Sequence, residues 1–147
     1  MTDPVLVLAT FGVAFVGGLV PLVNVEVYLV GVAVAIPGAS VLPLVLAAGL
    51  GQMLAKIVLY GVGLGVVRVS TRRGALERVV ARLAGGGAGA RAVVFASALV
   101  GVPPFYAVSV AAGTLRLGLP SFVALGFCGR ILRFAAILLT VSSGARR

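Results

Sequence analysis

The chain has 147 residues, of which 61% are hydrophobic and only 10% are charged, and its formal net charge is +9. A soluble fold of this size exposes too much surface to keep so many apolar side chains in one core. The composition therefore predicts an integral membrane protein, in which the same side chains face lipid. The bases fall between and after apolar runs rather than along a polar face with interleaved aromatic side chains, so we expect no nucleic acid partner. Lipids with anionic headgroups are the expected partners.

The first apolar stretch, 4–36, is too long for one membrane span and short for two, because a span needs about 20 apolar residues. Its middle contains the glycine, proline and polar residues Gly17, Gly18, Pro21, Asn24 and Glu26. Proline breaks the helical hydrogen-bond ladder, and non-helical backbone at membrane depth requires shielding by protein or a water-filled cavity. The stretch predicts a re-entrant helical hairpin, with a kinked span as the alternative.

The next stretch, 41–67, fits one full span and is followed by the basic segment 68–91. In that segment the apolar residues recur at helical spacing (Leu76, Val79, Val80, Leu83), and the arginines lie largely away from them (Arg72, Arg73, Arg78, Arg82). This pattern predicts a short amphipathic helix at the membrane interface, and the glycine-rich run 85–89 predicts a flexible joint. The positive-inside rule places the segment in the cytoplasm and both termini outside.

The stretch 92–115 is long enough to cross a membrane, but Gly101, Pro103 and Pro104 interrupt its middle, so it predicts a second re-entrant hairpin. Its alternative is again a kinked span. The last stretch, 119–141, fits a second full span. In this predicted topology, the first hairpin enters the membrane from outside and the second enters it from the cytoplasm.

The two halves of the chain resemble each other. Pro21 precedes Gly31 by ten residues in PLVNVEVYLVG, and Pro103 precedes Gly113 by ten residues in PPFYAVSVAAG. The spans contain LGQMLAKI (50–57) and LGFCGRIL (125–132), which align Lys56 with Arg130 if one gap is allowed. With one crossing in each half, this pattern predicts an inverted repeat whose site lies between the repeats at the midplane.

Glu26 is the only acid inside an apolar stretch, and a charge at membrane depth usually faces an internal cavity. We therefore expect the Glu26 carboxylate to bind a proton or to pair with a cation as part of a functional site. A purely structural ion pair is the alternative. Arg130 and Arg133 lie near one face of the last span, and Lys56 lies deep in the other. Three bases exceed one acid, so we expect these bases to bind a phosphate, which suits the planar guanidinium. In the alternative, the side chain of Lys56 or Arg133 extends to the interface between membrane and water.

Several classes of activity are excluded by what the sequence lacks. It has no histidine, one cysteine and no pair of acids, which argues against a His or Cys metal site and against a hydrolase. It has no ATP-binding motif. We expect no metal, no cofactor and no enzymatic activity.

The hairpin with Pro21, Asn24 and Glu26 resembles the first re-entrant motif of the DedA family, also called the VTT or SNARE-associated Golgi domain. Segment 51–63 resembles the following span. Segment 101–113 and the later motifs Gly129-Arg130 and Arg133-Phe134 resemble the second hairpin and the last span of that family. The resemblance covers 15–134, and it implies lipid transport: undecaprenyl phosphate recycling and pH homeostasis in bacteria, phospholipid scrambling in eukaryotes.

By this resemblance Glu26 corresponds to the acid of the family's first hairpin, and Arg130 and Arg133 correspond to its late arginines. The chain departs from the family at Gln52, where many members carry an acid, and after Pro104, where no arginine follows. It is also shorter, which suggests a short bacterial branch or a homo-oligomer that completes the site.

The sequence thus predicts a single all-α membrane domain over 1–147, multi-pass in the bacterial cytoplasmic membrane. It predicts a flippase or scramblase for a phosphate-bearing lipid, either undecaprenyl phosphate or a phospholipid. Lys56, Arg130 and Arg133 would bind the phosphate, and Glu26 would carry a proton or compete for the arginines. A membrane scaffold without transport activity and a lipid-modifying enzyme are the alternatives.

Overall fold

The computed structural model describes residues 3–65 and 74–144, and within these residues all regular secondary structure is helical. The predicted all-α class is therefore confirmed. The seven helices of this part of the chain are α1 (Pro4–Leu19), α2 (Val25–Ala35), α3 (Val41–Gly65), α4 (Gly74–Ala84), α5 (Gly87–Val100), α6 (Phe105–Thr114) and α7 (Leu119–Gly144). Arg68, Arg72 and Arg73 of the basic segment and the side chain of Leu76 lie outside the described residues.

The long helices α3 and α7 have 25 and 26 residues and a mean hydropathy of 1.9 in their most apolar windows. Among the described residues, they are long and apolar enough to cross a membrane, judged by length and composition. Both begin at the predicted residues, Val41 and Leu119, and α7 continues three residues beyond the predicted end.

The helices α1 and α2 form the first hairpin, and residues 20–24 between them are not helical. The Asn24 side chain caps α2, since its Oδ1 accepts hydrogen bonds from the backbone amides of Glu26 (3.0 Å) and Val27 (3.3 Å). The hydroxyls of Thr10 and Tyr28, which are 3.2 Å apart, join the two helices. The first hairpin is thus closed by polar groups within apolar helices.

The break in the first hairpin begins later than predicted. Gly17 and Gly18 were expected in the break, but both lie inside α1. A Cβ atom on Gly18 would overlap the Cβ atom of Ala55 in α3. These glycines therefore permit close helix packing, as small residues do in membrane helices, rather than a turn.

The helices α5 and α6 form the second hairpin, whose non-helical tip is residues 101–104. Gly101 ends α5 with a φ of 92°, a left-handed conformation that favours glycine, and the peptide bond between Val102 and Pro103 is cis. The Ser97 Oγ atom donates a hydrogen bond of 2.5 Å to the carbonyl oxygen of Pro103. The tip is therefore anchored to the end of α5.

The second hairpin begins five residues earlier than predicted, because α5 begins at Gly87. The run 85–89, predicted as a flexible joint, contains only a short turn before α5. The amide of Gly86 donates to the carbonyl oxygen of Leu83 at 3.0 Å, and Gly86 and Gly87 both have a φ of 62°. Glycine permits this tight turn because it adopts positive φ without steric cost.

The helix α4 packs against α5 and α6. Its apolar residues Val79 and Leu83 are buried, and its basic residues Arg78 and Arg82 are exposed. This division fits the amphipathic helix that the sequence predicted. The apolar side contacts the second hairpin of the same chain, however, and this partner was not predicted.

The chain divides into two compact units. Unit 1 comprises Met1–Ala55 and Arg130–Arg147, and unit 2 comprises Lys56–Gly129. The core of unit 1 combines buried residues of α1, α2, the first part of α3 and the second part of α7: Ala14, Val25, Leu29, Val32, Leu44, Val45, Ala48, Phe134 and Leu138. The core of unit 2 includes three aromatic rings, with centroid distances of 5.3 Å for Tyr60–Phe122 and 5.9 Å for Phe105–Phe122. The predicted single membrane domain stays a prediction.

Glycines bring helices close together within each unit. In unit 1, a Cβ atom on Gly51 of α3 would overlap the carbonyl oxygen of Phe11 in α1. In unit 2, a Cβ atom on Gly129 of α7 would lie 2.7 Å from the Cβ atom of Ala98 in α5. Each hairpin's first helix therefore packs tightly on a glycine of a long helix, as expected where small residues mediate helix association.

Candidate functional site

Three charged side chains meet in unit 1: Glu26, Arg130 and Arg133, here called the Glu26 cluster. Glu26 is the second residue of α2, where the positive end of the helix dipole stabilises a negative charge. Arg130 and Arg133 are three residues apart on α7, so both project toward one side of that helix. The buried contact of α2 with Phe134 and Leu138 holds the two helices together beside the cluster.

One carboxylate oxygen faces both guanidinium groups. Arg133 Nε donates a hydrogen bond of 2.8 Å to Glu26 Oε1, and Arg130 Nη1 lies 3.8 Å from the same oxygen. The Arg130 side chain is only 10% exposed, whereas those of Glu26 and Arg133 are 26% and 28% exposed. The cluster therefore has a buried cation and a partly accessible ion pair.

The charges of the Glu26 cluster do not cancel, since two cations face one anion. Both guanidinium groups face one oxygen of Glu26, and part of the Arg133 side chain remains accessible. Guanidinium groups offer planar pairs of N–H donors, a geometry that suits carboxylate and phosphate oxygens. The arrangement can bind an anionic oxygen group that joins Glu26 or replaces it.

Lys56, the third predicted phosphate ligand, lies in unit 2. It is 4% exposed, and its Nζ atom is 6.0 Å from the ring centroid of Phe105, the first residue of α6. A cation at this distance from an aromatic face is attracted by the ring. Its joint action with Arg130 and Arg133 of unit 1 stays a prediction.

Each unit therefore has a buried base of a long helix beside the first turn of a short helix. In unit 1 the base is Arg130 and its neighbour is Glu26; in unit 2 the base is Lys56 and its neighbour is Phe105. These are the two bases that the sequence alignment of the halves paired.

Five of the residues predicted to interrupt the hairpins lie at the observed breaks, whereas Gly17 and Gly18 lie inside α1. Pro21, Gly101 and Pro103 are non-helical, Asn24 caps α2, and Pro104 precedes the first residue of α6. Pro21 lies in unit 1 and Pro103 in unit 2, so the predicted site between the two repeats stays a prediction.

Other polar side chains have structural partners. Ser109 Oγ donates to the carbonyl oxygen of Phe105 at 2.6 Å, as a hydroxyl inside a helix can do. Tyr60 donates to the carbonyl oxygen of Leu117. Sequence reasoning missed the Thr10–Tyr28 contact, although both are polar residues inside an apolar stretch, which is the signal that could have revealed it.

No family model matches the chain, and no curated protein or solved structure matches it. The resemblance to the DedA family therefore stays a prediction from the sequence. The geometry of the Glu26 cluster is the observation on which a functional proposal depends.

Proposed function

We propose that the protein moves a phosphate-bearing lipid between the two leaflets of a bilayer. The observation that supports this proposal is the Glu26 cluster, in which Arg130 and Arg133 share one carboxylate oxygen within an apolar helical protein. The two guanidinium groups bind the headgroup phosphate, and the apolar chains of the lipid remain in the bilayer.

A location in a membrane is supported by the outer surface as well as by α3 and α7. Large apolar side chains are exposed along several helices, among them Leu8, Val27, Leu42 and Leu132. Large apolar side chains exposed in this number are costly in water and favourable in lipid. We propose a multi-pass protein of the bacterial cytoplasmic membrane.

The re-entrant arrangement is supported by helix length. The hairpin helices have 16, 11, 14 and 10 residues, each short of the roughly 20 residues that cross a bilayer. The order of short, short and long helices, 16-11-25 in one half and 14-10-26 in the other, supports the proposed inverted repeat.

Glu26 gives this transport a means of release. A phosphate that binds Arg133 competes with the 2.8 Å hydrogen bond from Arg133 to Glu26. When the lipid leaves, the Glu26 carboxylate again accepts the hydrogen bond from Arg133. The two guanidinium groups then have an anionic partner in the empty site. A proton on Glu26 would weaken its hold on both arginines and favour lipid binding.

Transport can be measured with the purified protein in liposomes that contain a fluorescent phospholipid or labelled undecaprenyl phosphate. A membrane-impermeant reducing agent destroys label in the outer leaflet only. We expect the protein to expose inner-leaflet label to the agent, whereas protein-free liposomes keep it. Unmoved and unchanged lipid would favour a scaffold, and a change in the mass of the lipid would favour a lipid-modifying enzyme.

The proposed topology places the α4–α5 connection in the cytoplasm and the α2–α3 connection outside. In a Cys128→Ser background, we expect Ala88→Cys to react with a membrane-impermeant maleimide only after spheroplasts are permeabilised. Pro37→Cys, in the α2–α3 connection, should react in intact spheroplasts. The reverse pattern would contradict the topology.

A further inference from the structure

A groove lies between α4 and the tip of the second hairpin, both in unit 2. It has a volume of about 220 Å³ and is lined by Arg78, Val79, Arg82, Val102, Pro103 and Pro104. We call it the α4 groove. It shares no residue with the Glu26 cluster, which belongs to unit 1.

The packing of α4 brings two cations to this groove. Because Val79 and Leu83 are buried against the second hairpin, the rotation of α4 about its axis is fixed. Arg78 and Arg82 are one helical turn apart, so their side chains lie on the same side of α4, and both line the groove. A single anion in the groove can therefore lie beside both guanidinium groups.

The opposite wall of the α4 groove is apolar and held in place. Val102 is 72% exposed, and Pro104 is also exposed. The hydrogen bond from Ser97 to Pro103 and the left-handed Gly101 fix the course of this tip. Two guanidinium groups beside a fixed apolar wall match a molecule with an anionic head and an apolar continuation.

We propose that the α4 groove binds the headgroup of an anionic phospholipid. Arg78 and Arg82 hold the phosphate oxygens, and Val102 and Pro104 contact the glycerol and the first part of the acyl chains. The groove is smaller than the roughly 300–1,000 Å³ of pockets for drug-sized ligands, which suits a headgroup whose chains stay outside. The site is a binding site whether or not the lipid is then transported.

The test compares the binding of phosphatidylglycerol, which is anionic, and phosphatidylcholine, which is zwitterionic, to the purified full chain in detergent by native mass spectrometry. The double variant Arg78→Gln/Arg82→Gln should bind phosphatidylglycerol at least about tenfold more weakly at one site, because charge-assisted hydrogen bonds are lost. Binding of phosphatidylcholine should not change. Arg91→Gln is the matched control, since Arg91 is exposed on α5 and lies outside the α4 groove.

Equal binding of phosphatidylglycerol by the double variant and Arg91→Gln would overturn the proposal. The readout is binding, so a wild-type protein that fails to transport lipid in liposomes leaves this result unaffected. Conversely, loss of groove binding with normal transport would support the groove as a site separate from the Glu26 cluster.

A second variant keeps both arginines, in case their removal disturbs the packing of α4. Val102→Asp places a carboxylate beside Arg78 and Arg82, where it competes with the phosphate, and Val102→Asn is its uncharged control. Val102 is largely exposed, so both variants should fold. We expect weaker phosphatidylglycerol binding by Val102→Asp alone; equal binding by the two variants would contradict the assignment.

Discussion

Glu26→Gln and Arg130→Ala proteins are expected to fold and to lose lipid transport. Gln keeps the shape of Glu26, and its amide oxygen can still accept the hydrogen bond from Arg133 Nε. Without its charge, however, this side chain competes poorly with a bound phosphate, so the lipid should not be released. In Arg130→Ala, the 2.8 Å hydrogen bond between Glu26 and Arg133 remains, so no charge of that pair loses its partner. Removing one guanidinium contact to a phosphate should reduce transport at least about tenfold, because such a contact contributes about 1.5–3 kcal/mol.

Arg130→Lys should restore transport only in part, since an ammonium supplies charge without the planar pair of donors. Asp3→Asn is the control for the loss of an acid, because Asp3 is exposed at the start of α1 and far along the chain from both arginines. Normal transport by well-expressed Glu26→Gln and Arg130→Ala proteins would contradict the site and the mechanism. Failure of the Glu26→Gln protein to accumulate in the membrane would instead indicate that the ion pair is structural.

Gly63→Ala and Gly113→Ala are expected to destabilise unit 2 more than other glycine substitutions do. A Cβ atom on Gly63 would overlap the carbonyl oxygen of Val110, and one on Gly113 would overlap the carbonyl oxygen of Tyr60. Backbone atoms cannot move aside without separating α3 from α6, which Thr114 Oγ1 also joins through the carbonyl oxygen of Gly63 at 3.3 Å. Overpacking of this kind costs about 1–3 kcal/mol or more. Thermal unfolding in detergent measures the change.

Gly61→Ala is the matched control, because it changes the same helix two residues away. No atom of the described residues lies within 4 Å of a Cβ atom at Gly61, apart from its own helix backbone and chain neighbours. Alanine is favoured over glycine in a helix by about 0.5–1 kcal/mol, so this variant should be as stable as the wild type or slightly more stable. Equal unfolding temperatures for Gly61→Ala and Gly63→Ala would show that the α3–α6 contact is not as close as the structure has it.

The helical class and the hairpin breaks were predictable because they follow from local chemistry. Pro21 and Pro103 interrupt apolar runs. Proline has no backbone N–H group to donate, so it breaks the helical hydrogen-bond ladder. The positions of Gly17 and Gly18 were not predictable, since a glycine in an apolar run serves equally well for a turn or for close packing. Only the presence of Ala55 beside Gly18 distinguishes the two uses.

The charged residues of the candidate site were predictable, but their pairing was not. Glu26 and the three bases of the long helices stand out against apolar neighbours, because each charge would be costly in lipid. The sequence does not show that Arg133 donates a hydrogen bond to Glu26 while Lys56 lies beside Phe105, because both contacts join residues distant in the chain. For α4, the spacing predicted which residues share a face, but the partner of that face depends on the packing of the second hairpin.

Unit 1 is built from two separate segments of the chain, whereas unit 2 is continuous. Glu26 and Arg133 are separated by 107 positions, which a ribosome translates in roughly 5–20 s at about 5–20 residues per second. During that interval the growing chain contains the acid but neither of its arginines. Unit 2 can be completed first, and unit 1 closes only when the segment that begins at Arg130 arrives. A translation product that stops before Arg130 therefore contains all of unit 2 but has a Glu26 carboxylate whose two arginine partners are never made.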